Sequence, residues 1–177
     1  MVIFYFYRKH MKKIGLLSDT HGLLDDRIFK HFESCDEIWH AGDWGSLNIV
    51  TQLQQFKPIR GVWGNIDGHE IRHIFPQHNR FKCEDIKIWM THIGGYPGKY
   101  DISVKPELFQ QPPNLFISGH SHILKVKYDK NLELLHINPG AAGKYGFHQV
   151  QTLVRFEIEK KNILNLEVIE LKTKSPL

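Results

Sequence analysis

Short apolar runs alternate with amphipathic stretches in the first third of this 177-residue chain. The runs Ile14–Leu17, Glu37–His40 and Ile59–Trp63 are strand-like, and each ends in a turn rich in Ser, Gly or Asp. Between them, Leu24–Phe32 and Leu47–Phe56 carry apolar residues at helical spacing. Strands that alternate with helices form βαβ units, in which the strands are parallel and helices cover the sheet. The pattern therefore predicts an α/β protein built on a parallel sheet.

The second half of the chain changes character and contains three predicted hairpins. Their strands are Arg80–Cys83 with Lys87–Thr91, Leu124–Tyr128 with Glu133–Ile137, and Leu153–Ile158 with Ile163–Leu171. A segment rich in Gly and Pro, residues 93–114, separates the first two hairpins and is predicted to be irregular apart from a short helix at Lys105–Gln110. Two sheets that face one another, with helices outside, accommodate both halves.

Composition indicates an ordinary soluble protein from a reducing compartment. The chain is 41% hydrophobic and 24% charged, which is typical of a globular domain, and its length favours one domain. Its two cysteines, Cys35 and Cys83, form neither a disulfide framework nor a zinc ribbon, which favours the cytoplasm. The net charge of +4 permits anionic partners without specifying one.

The first ten residues are predicted to be an extension without a catalytic role. Their apolar run, Val2–Tyr7, is far shorter than the ~20 residues that span a bilayer, and basic residues follow it instead of preceding it as in a secretory signal. Membrane association is therefore not expected. We expect residues 1–10 to be the extension and residues 11–177 to form a single domain.

Metal-binding residue types follow the strand-like runs. Seven residues of this kind stand at the predicted strand ends: Asp19, His21, Asp43, Asn65, His92, His120 and His122. The successive positions Asp19, Asp43, Asn65, His92 and His120 are 24, 22, 27 and 28 residues apart. One βαβ unit takes about 30 residues. The carboxyl ends of parallel strands meet at one edge of the sheet, where ligands bind, so the spacing predicts that these side chains converge.

The residue types favour a site for two divalent ions. Taken one at a time, Asp19 and Asp43 could be helix N-caps and Asn65 a turn residue. Together, carboxylate, imidazole and amide ligands without thiolate favour Mn²⁺, Fe²⁺ or Zn²⁺. Two such ions lower the pKa of a shared water and hold a phosphoryl group for in-line displacement. The pattern therefore predicts hydrolysis of a phosphate ester.

The ordered motifs D-x-H, G-D, G-N, a lone H and G-H-x-H resemble those of the calcineurin-like metallophosphoesterases. The compact length is similar to that of the small YfcE-type phosphodiesterases. The likeness extends from Lys12 to about Ala142 and includes the turn Asn138-Pro139-Gly140. The resemblance implies a two-sheet β-sandwich flanked by helices, an α/β/β/α arrangement.

The same resemblance implies a role for each ligand. Asp19, His21, Asp43 and His122 would hold the first metal, and Asp43 would bridge to a second metal held also by Asn65, His92 and His120. Asp43, Asn65 and His92 are the residues expected to act in catalysis, with a metal-bridging hydroxide as the nucleophile. The expected cofactor is a pair of divalent ions, with Mn²⁺ first and Fe²⁺, Zn²⁺ or Ni²⁺ as alternatives.

The sequence departs from the family pattern at two places. Many larger relatives have G-N-H-[DE] and use that His near the leaving group, whereas Ile66 occupies the position here, as in the YfcE-type subgroup. His69 and His73 are hypothetical replacements for that acid. The segment Gly140–Tyr145 lacks the Ser and Pro-Arg of related enzymes, so substrate contacts there do not transfer.

The sequence thus predicts a metal-dependent phosphodiesterase or phosphatase acting on a small phosphodiester or phosphomonoester. The alternative is a binding scaffold of the same fold, as in the retromer subunit that resembles this subgroup. A nuclease is a third hypothesis, but nucleic acid is not the expected partner, and a homo-oligomer is left open. Among the other histidines, His40 is expected in the core beside a ligand. His31, His78, His136 and His148 are expected at the surface or in ordinary hydrogen bonds.

Overall fold

A computed structural model describes residues 11–146 and 148–171 of the chain. In chain order the elements are β1 (Lys12–Leu17), α1 (Arg27–Phe32), β2 (Glu37–His40), α2 (Leu47–Phe56), β3 (Ile59–Gly61), α3 (His69–Ile74), β4 (His78–Cys83), β5 (Ile86–Thr91), β6 (Gly95–Tyr96), β7 (Lys99–Tyr100), α4 (Lys105–Gln110), β8 (Leu115–Ile117), β9 (Lys125–Asp129), β10 (Leu134–Asn138), β11 (Gln151–Glu159) and β12 (Asn162–Leu171).

Ten of the twelve described strands form two five-stranded sheets. The first has the order β12-β11-β1-β2-β3, in which β1, β2 and β3 are parallel as the βαβ pattern predicts. The second has the order β4-β5-β8-β10-β9, with β5, β8 and β10 parallel to one another. The three predicted hairpins are confirmed as the antiparallel pairs β4/β5, β9/β10 and β11/β12. Each sheet therefore combines a parallel centre with antiparallel additions.

The inner faces of the two sheets pack on each other and form the central core. Leu16 of β1 and Phe156 of β11 belong to the same buried cluster as Met90 of β5 and Ile117 of β8. Burying side chains of this size stabilises the fold by about 1.5–3 kcal/mol each. The core thus fixes β1 and β2 of one sheet beside β5 and β8 of the other, so that strand ends from both sheets meet at one edge.

Helices cover both outer faces. Phe32 of α1 and Leu53 of α2 pack on the outside of the first sheet. On the opposite side, Leu108 of α4 packs against Trp89 and Phe116 of the second sheet. The predicted α/β/β/α sandwich is therefore confirmed.

Local details differ from the sequence-based boundaries. Helix α1 begins at Arg27 instead of Leu24, because the Asp25 carboxylate accepts hydrogen bonds from the Arg27 backbone N–H at 3.0 Å and from its Nε at 2.8 Å. Strand β3 ends at Gly61 instead of Trp63, whose N–H bonds to Pro76 outside the ladder. The segment predicted to be irregular contains the small β6/β7 hairpin as well as the predicted helix α4.

Residues 1–10, predicted to be an extension, lie outside the described residues. Within residues 11–146 and 148–171, no helix combines the length and apolar character needed to cross a bilayer.

Candidate metal centre

The seven predicted ligands lie together at one edge of the sandwich. In order, Asp19 and His21 follow β1, Asp43 follows β2, Asn65 follows β3, His92 follows β5, and His120 and His122 follow β8. Asp19, Asp43 and His92 are buried, whereas Asn65 and His120 are exposed. The cluster is therefore embedded in the protein on one side and open to solvent on the other.

Asp19, His21 and His122 form a first ligand group. The Nε2 atoms of His21 and His122 lie 3.1 Å apart, and the His122 Nε2 lies 3.2 Å from the Asp19 Oδ1. Three potential ligand atoms thus surround one small volume, as coordination of a single ion requires.

Asp43, His92 and His120 form a second group. The His92 Nε2 lies 3.2 Å from the Asp43 Oδ1 and 3.1 Å from the Asn65 Oδ1. Asn65 therefore adds a neutral amide oxygen at the exposed side of this group.

Asp43 connects the two groups. Its Oδ1 faces His92 of the second group, while its Oδ2 lies 3.8 Å from the His21 Nε2 of the first. A carboxylate that turns one oxygen toward each group has the position needed to bridge two ions.

An unsatisfied carboxylate oxygen tests whether cations fit this cluster. The Asp19 Oδ1 is buried and accepts no hydrogen bond from any described residue. The other oxygen of this carboxylate, Oδ2, accepts one from the His120 backbone N–H at 3.1 Å. Leaving such a group unpaired costs at least about 1–3 kcal/mol. The His122 Nε2 lies 3.2 Å from the Asp19 Oδ1, and the Nε2 atoms of His21 and His92 each lie 3.9 Å from it. Oxygen and nitrogen donors around an orphaned buried anion fit a divalent ion such as Mn²⁺, Fe²⁺ or Zn²⁺.

A backbone hydrogen bond orients His92 toward this centre. Its Nδ1 lies 2.8 Å from the Ala41 carbonyl oxygen. A carbonyl oxygen can only accept, so Nδ1 donates, and in the neutral ring Nε2 keeps its lone pair for a metal.

The turns that carry the ligands adopt unusual backbone conformations. Five of the seven ligands have a positive φ: Asp19 (55°), His21 (49°), Asp43 (58°), His120 (68°) and His122 (56°). Such conformations are uncommon outside glycine and cost about 1–3 kcal/mol each when the surrounding structure imposes them. Strain concentrated on the predicted ligands indicates a functional site.

Gly64 explains the G-N motif by close approach. A Cβ at this position would collide with the backbone N and the Oδ1 of Asp43. The turn bearing Asn65 can therefore approach the Asp43 carboxylate this closely only if glycine precedes Asn65.

Comparison with known proteins agrees with this geometry. Residues 11–161 match the calcineurin-like phosphoesterase superfamily domain. The chain belongs to this superfamily. A probable metallophosphoesterase from Methanothermobacter thermautotrophicus (strain Delta H) is 29% identical over 133 residues, which cover 72% of this chain and 76% of that protein. The superfamily resemblance predicted from the motifs is thereby confirmed.

Solved structures share the fold at low sequence identity. A predicted phosphoesterase of Streptococcus pneumoniae TIGR4 superposes with a TM-score of 0.61 at 19% identity, covering 91% of this chain and 98% of the other. Wild-type Vps29 of Entamoeba histolytica, complexed with Zn²⁺, gives a TM-score of 0.64 at 14% identity, covering 90% and 99% of the two chains. Phosphoesterases and Vps29 are therefore similar to this superfamily member in fold.

The pKa values of the imidazoles reflect the carboxylates beside them. Burial lowers the pKa of His92, but the Asp43 hydrogen bond and the charges of Asp19 and Asp43 outweigh it and raise this pKa. Asp19 likewise raises the pKa of His122. Burial, together with the nearby charge of His92, lowers the pKa of His120 despite the opposing charges of Asp19 and Asp43. His92 and His122 thus hold protons more strongly than ordinary histidines.

This proton affinity predicts the pH dependence of metal binding. A proton on His92 or His122 must leave before the ring can bind a metal, so the affinity should fall as the pH drops through their pKa values. Because both pKa values are raised, we expect the fall to begin above the ordinary histidine value of ~6.5. Titration calorimetry of the metal-free protein with Mn²⁺ between about pH 5.5 and 8.5 measures this fall in affinity. An affinity that stays constant over this range would contradict these ligand assignments.

His40 supports the centre from the core, as the sequence predicted. It is fully buried and stacks on Trp44 with ring centroids 3.7 Å apart. The Gly42 N–H donates to its Nδ1 at 3.2 Å, so its Nε2 donates to the Thr20 hydroxyl at 3.0 Å. Burial holds its pKa well below the ordinary value. His40 is therefore a neutral link between the turns that carry Asp19 and Asp43.

Ile66, which replaces the histidine of larger relatives, and the candidate general acids His69 and His73 all lie among the described residues. Ile66 is 47% exposed, and its backbone N–H donates to the Asp43 Oδ1 at 3.2 Å. His69 and His73 are exposed on α3, with ring centroids 3.9 Å apart and the His73 Nδ1 3.0 Å from the His69 carbonyl. Their substitution for the acid stays a prediction.

Sequence reasoning missed one residue that touches the cluster. His148, expected at the surface or in an ordinary hydrogen bond, is half-buried, and its Nδ1 lies 3.2 Å from the Nδ1 of His122. No motif surrounds His148, and the two rings are 26 residues apart in the chain. Only the folded structure brings them together.

Proposed function

We propose that this chain is a phosphodiesterase that hydrolyses small phosphate esters at a dinuclear metal centre. Membership of the calcineurin-like phosphoesterase superfamily supports metal-dependent phosphoester hydrolysis in general. The observation that carries the finer proposal is the position of Asp43, whose two oxygens face two ligand groups. A single-ion site would not need the second group.

Under this proposal each ligand group holds one divalent ion, with Mn²⁺ as the expected metal. Asp19, His21, Asp43 and His122 would hold the first, and Asp43, Asn65, His92 and His120 the second. When bound, such ions supply Lewis acidity that activates water at neutral pH and offsets charge on a phosphoryl group.

The chain's own residues orient the substrate at the exposed side. Asn65 turns its Oδ1 toward His92, so its amino group is available to donate to a phosphoryl oxygen. Preorganised donors of this kind stabilise the charge that develops in the transition state. Asn65 therefore binds the substrate, while the buried Asp19 and Asp43 remain shielded.

A cavity beside the second ligand group supports the preference for diesters. It has a volume of about 360 Å³ and extends from His120 to the wall formed by Ile93, Tyr96 and Ile102. This space can hold the second alcohol group of a phosphodiester. Because Ile66 replaces the histidine used near the leaving group in larger relatives, the substrates expected to react fastest have leaving groups that need no protonation.

We propose that the protein acts in the cytoplasm and that its substrate is a small molecule. Cys35 and Cys83 are both free thiols, which suits a reducing compartment. Burial raises the pKa of each thiol to about 11, so neither is reactive at neutral pH.

A substrate screen with added Mn²⁺ tests the proposed function. We expect bis(4-nitrophenyl) phosphate to be hydrolysed faster than 4-nitrophenyl phosphate, with phosphodiesters of poor leaving groups slower by about 10²–10⁴-fold because general acid catalysis is absent. Cyclic nucleotides and unactivated monoesters complete the panel. Faster turnover of monoesters would contradict the diester preference, and no turnover of any ester would contradict the function.

The alternative is a scaffold that binds partners without catalysis, which the fold shared with Vps29 favours. Metal binding alone does not separate the two functions, because Vps29 of Entamoeba histolytica is itself complexed with Zn²⁺. Turnover separates them. A protein that binds two ions and hydrolyses no ester would support the scaffold.

A further inference from the structure

We infer that His148 is a positioning residue that fixes His122 as a ligand of the first metal group. The inference rests on the proposed metal centre and adds to it a residue outside the superfamily motifs. The two rings pack edge to face with centroids 5.2 Å apart. His122 is thus held from behind while its Nε2 faces Asp19 at 3.2 Å.

The partners of His148 determine which nitrogens carry protons. Its Nε2 lies 2.8 Å from the Gly143 carbonyl oxygen, which can only accept, so Nε2 donates. The Nδ1 of a neutral His148 is then an acceptor, and the His122 Nδ1 at 3.2 Å must donate to it. This leaves a lone pair on the His122 Nε2. His148 therefore selects the tautomer of His122 that can bind a metal.

The contacts of Gly143 and His148 form a closed loop that includes the two ligands Asp19 and His122. The Gly143 N–H donates to the Asp19 backbone carbonyl at 3.0 Å, while the Gly143 carbonyl accepts from His148. His148 contacts His122, and His122 returns to the Asp19 carboxylate. Asp19 and His122 follow strands of different sheets, so this closed loop of contacts fixes the distance between them.

Gly146 makes the contact between the two rings feasible. A Cβ at this position would collide with the His122 Nδ1 and would lie 3.0 Å from the His148 Nδ1. Its φ of +133° also favours glycine. Glycine is therefore required where the two imidazoles meet.

The second ligand group has its own support. Its His92 is oriented by the Ala41 carbonyl and has no contact with His148 in the part of the chain that the structure describes. Loss of the His148 contact should consequently weaken one of the two ions and spare the other.

Equilibrium dialysis of the metal-free protein against a series of free Mn²⁺ concentrations, followed by elemental analysis, tests this role. In His148→Leu we expect one ion to bind about 10–100-fold more weakly and the other to keep its affinity. His148→Asn should keep both ions within a few-fold, because its Oδ1 can accept from the His122 Nδ1. His31→Leu, a histidine on the remote helix α1, is the matched control, and melting of each metal-free variant reports its fold.

The variants distinguish positioning from bulk packing. Wild-type affinity for both ions in His148→Leu would overturn the inference, as would an equal loss in His148→Asn and His148→Leu. If His148→Leu does not fold, His148→Phe decides, since it keeps an aromatic ring against His122 but has no nitrogen to accept from the His122 Nδ1, and it should weaken the same ion. A wild-type chain that binds no Mn²⁺ would instead contradict the proposed function.

Discussion

Asp43→Asn is expected to lower Mn²⁺-supported hydrolysis of bis(4-nitrophenyl) phosphate by about 10³-fold or more. The substitution removes the charge from a side chain whose two oxygens face the two ligand groups, and is therefore expected to weaken both ions at once. A loss of about 4 kcal/mol of transition-state stabilisation corresponds to this factor, and metal-ion catalysis supplies several kcal/mol. Steady-state kinetics at saturating Mn²⁺ measures the effect.

The control for this substitution is Asp85→Asn. Asp85 is exposed in the turn between β4 and β5, away from the predicted ligands, so the same chemical change there should leave kcat/KM unaltered. Asparagine retains an oxygen that can accept the Ile66 N–H, so the metal-free Asp43→Asn protein should still fold. Equal activity of Asp43→Asn and wild type would show that the site is assigned wrongly.

Removal of divalent ions with a chelator is expected to abolish activity and to lower the melting temperature. Without ions, the buried Asp19 and Asp43 carboxylates lose the positive charge that the bound ions would supply. An ion present at 100 times its Kd stabilises the folded state by about 2.7 kcal/mol. For a domain of this size, we expect a loss of roughly 5–10 °C for each ion.

Re-addition of Mn²⁺ after the chelator is removed should restore both properties together. Differential scanning fluorimetry measures the melting temperature, and hydrolysis of bis(4-nitrophenyl) phosphate measures the activity of the same sample. Asp43→Asn, whose centre is already weakened, should show a smaller shift than wild type. An unchanged melting temperature together with full activity after chelation would contradict a metal-dependent enzyme.

The sequence predicts the architecture well where its signals are local or repeated. Alternation of apolar runs and helical spacing predicts the parallel β1, β2 and β3, and the turn residues predict the three hairpins. Regular intervals between Asp19 and His120 predict that the ligands share one edge, and the fold brings all seven together. Their role as ligands stays a prediction until an ion is observed.

Other features depend on contacts between distant parts of the chain. The positive φ values of Asp43 and His122 have no local sequence signal. Helix α3 begins after Gly68 and lacks the Pro that marks the start of the equally short α4, so its sequence gives a weaker helix signal. The contact of His148 with His122 requires β8 and the turn after β10 to meet in space. Such relations follow from tertiary structure, so residue type and spacing do not reveal them.

Anomalous diffraction from crystals grown with Mn²⁺ tests the dinuclear centre itself, because it locates the ions without assuming any substrate. We expect two anomalous peaks, one within the group Asp19, His21 and His122 and one within the group Asp43, His92 and His120, with Asp43 in contact with both. A single peak, or two peaks outside these groups, would contradict the dinuclear centre.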